Sequence, residues 1–278
     1  NIYGRNSVRD YVFLCTNMFL LYFMADGIRI PWEETFYKYC TAWALILVNT
    51  GIHHLIELRN HRNEPWESVA IKIKAGIIFA EAALVGAHML VYTLTGISIS
   101  YIPVLFGIAA MLVSARFNML VPVDFAHLSE RAMLYIVFTF GEMIIAIASY
   151  FTGKLTVSTA YFALMAFLIV VGLFLSYGTM YNRILDHEKN TTGILYMMIH
   201  IFMILSLNNI TTALEFMQEE EVSLIPKIVF ISVSILLYFA FLFMTGLYAK
   251  KRRAPGAGFI VKILVSACIF VILMLLLR

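Results

Sequence analysis

Long apolar runs recur along the whole 278-residue chain, each about the length of a bilayer crossing and separated by short polar breaks. A helix rises about 1.5 Å per residue, so about 20 apolar residues cross a hydrocarbon layer about 30 Å thick. Hydrophobic residues make up 62% of the chain and charged residues 13%, with a mean hydropathy of +0.86. A soluble domain carries about 45–50% apolar and about 25% charged residues, so this excess does not fit a water-soluble core. The runs are continuous rather than alternating, which argues for helices and against a membrane barrel. The expectation is an all-α, polytopic helical transmembrane bundle forming one domain over residues 1–278. About nine spans are expected, near 11–25, 37–56, 73–94, 99–120, 131–150, 157–180, 192–213, 225–248 and 259–277.

With the amino end in the cytoplasm, fifteen of the twenty basic residues fall on the inner side. Arg29, Lys38, Lys154, Lys227 and Arg278 remain outside. The positive-inside rule therefore favours amino end in and carboxyl end out. The net charge is only +3 and the basic residues lie scattered through short loops, so no nucleic-acid partner is expected and the lipid bilayer is the evident one. Cys15, Cys40 and Cys268 lack metal-type spacing and read as buried thiols. No short apolar run with a small-residue cleavage site opens the chain, so no signal peptide is expected.

The richest chemistry lies in 122–150, PVDFAHLSERAMLYIVFTFGEMIIAIASY. His127, Glu130 and Arg131 stand at the mouth of an apolar run, and Glu142 falls within it. A carboxylate near the bilayer centre costs at least about 2.5 kcal/mol, so it is expected to face protein or a wet cavity. At 100° per residue Arg131, Tyr135, Phe138 and Glu142 share one stripe. Arg131 and Glu142 cannot pair with each other, because their axial separation is about 16 Å. Glu142 then needs a partner on another helix, a proton or a bound cation; a protonated acid serving only packing is the plainer alternative. Asp124 is placed to cap this helix.

The segment HLSERAMLYIVFTFGE resembles the H-x-x-E-R…G-E signature of the bacterial low temperature requirement protein A (LtrA) family, a group of multi-span membrane proteins. His127, Glu130, Arg131, Gly141 and Glu142 are the matching positions. Tyr177 in LFLSYGTMY, and YMMIHIFMILSLNN over 196–209 with Tyr196 and His200, are similar to the family's following aromatic-rich helix end and its Tyr-x-x-x-His helix. Met143 stands where the family usually has a small hydroxyl residue. The stretch 1–31 resembles the family's region after its second helix, so one or two family helices are expected ahead of Asn1. The resemblance implies a bacterial membrane location, here the cytoplasmic (inner) membrane, and leaves the reaction open.

The remaining polar residues divide among several spans. Asn49, His53 and Glu57 lie near one face of the second, and read as interfacial groups reaching water. His53 and His54 with Glu57 can be drawn as a metal site, but Arg59 and His61 suit a solvated loop, and no metal is expected. Lys74, Glu81 and His88 recur every seven residues in the third span. They either line a polar path or act separately, as a snorkelling lysine, an acid paired across helices and a hydrogen-bonded neutral ring. Arg116 is a counter-charge for Glu130 or Glu142, or an arginine reaching lipid phosphate. Tyr177 and Tyr181 suit an interfacial aromatic belt on a lipid-facing sixth span. His200, Asn208, Thr211 and Glu215 fall within about 80° on the seventh. There the amide and hydroxyl read as helix glue and His200 as a working residue. The eighth and ninth spans read as scaffold or as a surface for homo-oligomers.

No Walker loop, dinucleotide fingerprint, zinc-protease helix or nucleophile elbow is present, and no cofactor is implied. The leading reading is a secondary transporter or an ion or proton pathway, whose substrate is a proton, a cation or a small molecule. Glu142 would change protonation or hold the cation, and His127, Glu130 and Arg131 would form an inner gate. No pair of matching broken helices accompanies it. The alternatives are a membrane-embedded enzyme acting on a lipid or quinone-like molecule, with His200 or Glu142 as base, and a non-catalytic sensor or assembly subunit.

Overall fold

The structure is a computed structural model that describes residues 8–28, 32–60, 65–118, 123–148, 156–217 and 223–250, together with Gly258, Val261 and Val265. It divides into two compact units, Asn1–Val123 and Asp124–Arg278.

The first unit holds α1 (Val8–Asp26), α2 (Trp32–Asn60), α3 (Pro65–Thr95) and α4 (Tyr101–Asn118). α2 packs against both α1 and α3, and α3 against α4. α3 stops at Gly96, whose φ of 70° closes the last turn while its N–H donates to Tyr92 O at 2.8 Å. Two glycines permit close approach. A Cβ at Gly51 would meet the Phe79 ring of α3 at 2.7 Å, and one at Gly107 would meet the Glu81 carboxylate at 2.6 Å. A small buried cluster of Phe36, Cys40 and Val85 joins α2 to α3.

The second unit holds α5 (Phe125–Ala148), α6 (Val157–Thr179), α7 (Ile194–Phe216) and α8 (Leu224–Met244). α7 packs on α5 and α8, and α5 packs on α6. Asp124 caps α5 by accepting from the His127 backbone N–H at 3.1 Å, and Thr156 with Thr159 forms a capping box on α6. α5 buries Phe125, Ser129, Ala132, Ile136, Thr139, Phe140, Met143 and Ile147, whose spacings of three and four residues, with one adjacent pair, define one helical face. α6 widens into a π-helical turn, Met180–Ile184, whose Leu185 N–H donates to Met180 O five residues back. Leu185 then bridges to Ala249, just beyond the 3-10 turn Thr245–Tyr248 that ends α8. Asp186 N–H donates to Tyr248 O and Lys250 N–H to Ile184 O, both at 2.9 Å, so the α6–α7 connection is stitched to the end of α8.

Among the described residues there are eight α-helices and no strand beyond that bridge. They coincide with the first eight expected stretches, but only five are long and apolar enough to cross a membrane: α3, α5, α6, α7 and α8. Among the described residues five spans are therefore shown, short of the expected count of about nine. α2 falls short although the 18 residues between Lys38 and Glu57 carry no Asp, Glu, Lys or Arg, because Asn49, His53 and His54 lower their mean hydropathy, and in α4 the apolar part is the shorter Tyr101–Ser114. The ninth stretch, 259–277, lies outside the described residues apart from Val261 and Val265.

Candidate functional site

In the second unit the buried histidine of α7 organises a ring of aromatic hydroxyls. His200 is 2% exposed. Its Nδ1 lies 2.9 Å from the Tyr196 carbonyl, an acceptor, so Nδ1 carries the proton. In the neutral ring Nε2 is then the acceptor, and the Tyr177 hydroxyl donates to it at 3.1 Å. Tyr196 packs on the imidazole with ring centroids 4.2 Å apart. Beside it Tyr238 donates to Leu173 O at 2.8 Å and lies 3.2 Å from Ser176 Oγ. Tyr177, Met180, Tyr181, Tyr196, His200 and Thr245 line a crevice of about 10 Å³, room for no more than a water. Tyr177 differs from its expected place in an aromatic belt. α6 turns Ala163, Ala166, Val170, Leu173 and Tyr177 inward as one stripe, so the tyrosine is buried at 3% exposure.

A second histidine, His187, lies in the connection after the π-helical turn. Its Nε2 donates to Tyr181 O at 3.2 Å and its Nδ1 is 3.1 Å from Ser129 Oγ on α5. Ser129 Oγ also reaches Ala126 O at 2.9 Å. With a neutral ring the serine proton must choose between Ala126 O and Nδ1, whereas a doubly protonated ring leaves both bonds intact. Lys189 Nζ donates to Leu247 O at 2.5 Å and lies over the Tyr248 ring at 5.1 Å, which fixes the same connection.

In the first unit α3 carries the file of ionisable groups. Glu81 is half-buried and sits against the Gly107 backbone of α4. His88 is fully buried: Nε2 lies 3.2 Å from Ser98 Oγ, Nδ1 lies 3.9 Å from Cys40 Sγ, and Phe36 meets the ring edge-on. One side of His88 borders a cavity of about 350 Å³, lined also by Ile28, Tyr39, Trp43, Ser100, Tyr101 and Val104.

Between α1 and α2 runs a ladder of polar side chains. Asn17 Nδ2 donates to Thr50 Oγ1 at 3.3 Å, and Asn49 Nδ2 donates to Asn17 Oδ1 at 2.9 Å and to Phe13 O at 3.1 Å. One turn further Asp10 meets His53 at 2.9 Å, and then Arg9 pairs with Glu57. The expectation that Asn49, His53 and Glu57 reach water is corrected for Glu57, which pairs with Arg9 and is only 7% exposed, whereas Asn49 and His53 are half-buried against the polar stripe of α1.

The model of the family described as bacterial low temperature requirement A protein (LtrA) matches residues 1–278, the whole chain. The chain belongs to the LtrA family. It is a membrane protein with several apolar helices, and those helices imply a lipid bilayer around it. No curated protein and no solved structure matches it.

The LtrA signature positions divide in two. His127, Glu130 and Arg131 come together at the start of α5: Arg131 Nε donates to His127 Nε2 at 3.0 Å, and Glu130 Oε2 lies 3.9 Å from His127 Nδ1. Arg131, Tyr135, Phe138 and Glu142 do share a face, but it is the exposed face of their unit, on the side away from the buried stripe. Within the unit Glu142 is therefore not brought to His200, whereas Met143 is fully buried and fills core space where a small hydroxyl would leave a gap. Asn208 is exposed on α7, so it does not join His200 either. Arg116 lies on α4 and its side chain is outside the described ones. Sequence reasoning passed over Asp10, Gly107, Ser129 and His187. Only His187 carried a signal, as a histidine next to an acid in a short break between apolar runs.

Proposed function

We propose that this LtrA-family membrane protein is a secondary transporter or an ion or proton pathway, with α3 carrying ionisable groups of the route. The observation that supports this is Glu81, a carboxyl in an apolar helix that occupies space made for it by the absence of a side chain at Gly107. An acid in the membrane interior costs at least about 2.5 kcal/mol on insertion scales, and such groups mark ion and proton routes. His88, two turns along the same stripe, hands a proton between the cavity and the helix interior, and Lys74 stands at the other end of the file. In the second unit His127, Glu130 and Arg131 form a gate at the cytoplasmic end of α5, with the amino end of the chain inside and the protein in the inner membrane. Glu142 exchanges a proton or cation on its own helix.

Purified protein in proteoliposomes tests this under an imposed pH gradient or potential, with Glu81→Gln and Glu142→Gln beside the parent. The expected result is flux in the parent, lost by tenfold or more in Glu81→Gln as catalytic losses of about 10²-fold or more follow removal of a proton-transfer group. Equal flux in all three proteins removes the reading.

A second reading is favoured by the cavity beside His88. Aromatic walls from Tyr39, Trp43 and Tyr101 with a few polar groups, at about 350 Å³, suit a membrane enzyme's site for a lipid or quinone-like molecule. An elongated apolar molecule released from the purified protein, and lost from His88→Ala, would favour it.

A further inference from the structure

Asp10 on α1, with His53 and Glu57 on α2, brings one imidazole nitrogen and two carboxylate oxygens within 4.8 Å of one another, all inside the first unit. His53 and Glu57 are one helical turn apart and so face the same strip of α1. The imidazole is held in place by Phe13, stacked on it with centroids 4.7 Å apart and planes at 16°. The Arg9 guanidinium stands among these donors: Nη2 contacts Glu57 Oε1 and lies 3.6 Å from Asp10 Oδ1. A positive charge is thus already drawn to the point where the donors converge.

Two features make that guanidinium replaceable. Its Nε is buried with no hydrogen-bond partner, so the cluster satisfies only part of the arginine fork. The Arg9 side chain is 32% exposed while that of Glu57 is 9%, so the arginine can swing its stem outward and the acid cannot.

We propose that Asp10, His53 and Glu57 bind a divalent transition-metal ion of the zinc or manganese class, with Arg9 as the cation that gives way to it. One imidazole nitrogen with two carboxylates is a donor set these ions accept, at about 2.0–2.2 Å per bond. Donors in a tetrahedral shell stand about 3.4 Å apart, so closure asks for movements of about 1 Å, within reach of side-chain rotation. His53 presents Nε2 to the ion and carries its proton on Nδ1. A water completes the shell. Magnesium and calcium, which take six or more oxygen ligands, do not suit the set.

The test uses the full chain, purified without affinity histidines, stripped by a chelator and titrated in a calorimeter with zinc, manganese and magnesium. The expected result is one saturable zinc site per chain, weaker manganese binding and no magnesium signal. His53→Gln is expected to weaken zinc by about tenfold or more, the scale of losing a ligand or its orienting partner. Arg9→Gln is expected to tighten it by about fivefold or more, because the Arg9 guanidinium then no longer competes with the ion for Asp10 and Glu57. Zinc bound equally by the parent and a folded His53→Gln protein belongs to the other histidines and overturns the site. So does an Arg9→Gln protein, helical by circular dichroism, that binds no more tightly than the parent; this arm decides alone if His53→Gln does not fold.

Discussion

Beside one small ring cluster at Phe36, the first unit joins its helices through amides, ion pairs and bare backbone, whereas the second joins them through rings, hydroxyls and close-packed aliphatic side chains. In the first, the α1–α2 seam runs from Asn17 and Asn49 through Asp10 and His53 to Arg9 and Glu57, and glycines set the spacing of α2 from α3 and of α3 from α4. In the second, one large cluster reaches from Phe125 to Tyr248, and its polar members are neutral groups that bond to one another or to carbonyls. Apolar burial gives little drive in lipid, so helix association there rests on packing, interhelical hydrogen bonds and close approach. The two units illustrate different shares of these. The second should lose most when a packed ring is removed, and the first when close approach is prevented.

The largest loss is expected for His200→Ala. The ring fills space against Tyr196 and accepts from Tyr177, so truncation leaves both a void and a buried hydroxyl short of a partner. Together these cost about 3 kcal/mol. Unfolding in detergent, followed by far-ultraviolet circular dichroism, measures it. A variant as stable as the parent would mean that the aromatic ring around α7 does not hold the second unit together.

Much of this contrast was hidden in the sequence for a physical reason. Runs of about 20 apolar residues give the existence of membrane helices, and α3, α5, α6, α7 and α8 overlap them, though α3 begins at Pro65 rather than near 73 and α5 at Phe125 rather than near 131. The cap at Asp124 and the His127, Glu130 and Arg131 cluster were readable because both are local, with partners within four residues. Helix faces were not readable in the same way. A helix apolar nearly all round has no strong amphipathic signal, so nothing local says that Tyr177 turns inward and Glu142 outward within their unit. Asp10 was missed as a partner of His53 because the pair is separated by 43 positions and depends on how α1 meets α2.

Preventing close approach in the first unit is the next test. In Gly51→Ala the new methyl would stand 2.7, 2.9 and 3.0 Å from three ring atoms of Phe79. An aromatic ring packed between helices has few ways to yield, so overpacking is expected to cost about 2 kcal/mol. The same change at Gly107 should cost less, because the atoms met there belong to the free end of the Glu81 side chain. If the two alanine variants unfold together, glycine contact is not what separates α2 from α3.

The smallest effect is expected on the α1–α2 seam. Asn49→Ala removes the donor to Phe13 O and to Asn17 Oδ1. Interhelical hydrogen bonds of this kind average about 0.6 kcal/mol each, partly because the separated helices find other partners, so the variant should lose about 1 kcal/mol. The change leaves Asp10, His53, Glu57 and Arg9 in place one turn away, so it also tells whether the seam behaves as independent rungs or as one connected network. Combining it with Asp10→Asn and measuring both by the same unfolding assay distinguishes the two. Additive losses mean separate rungs, and a shortfall of more than about 0.5 kcal/mol means that the amide and charged ends are coupled through α1.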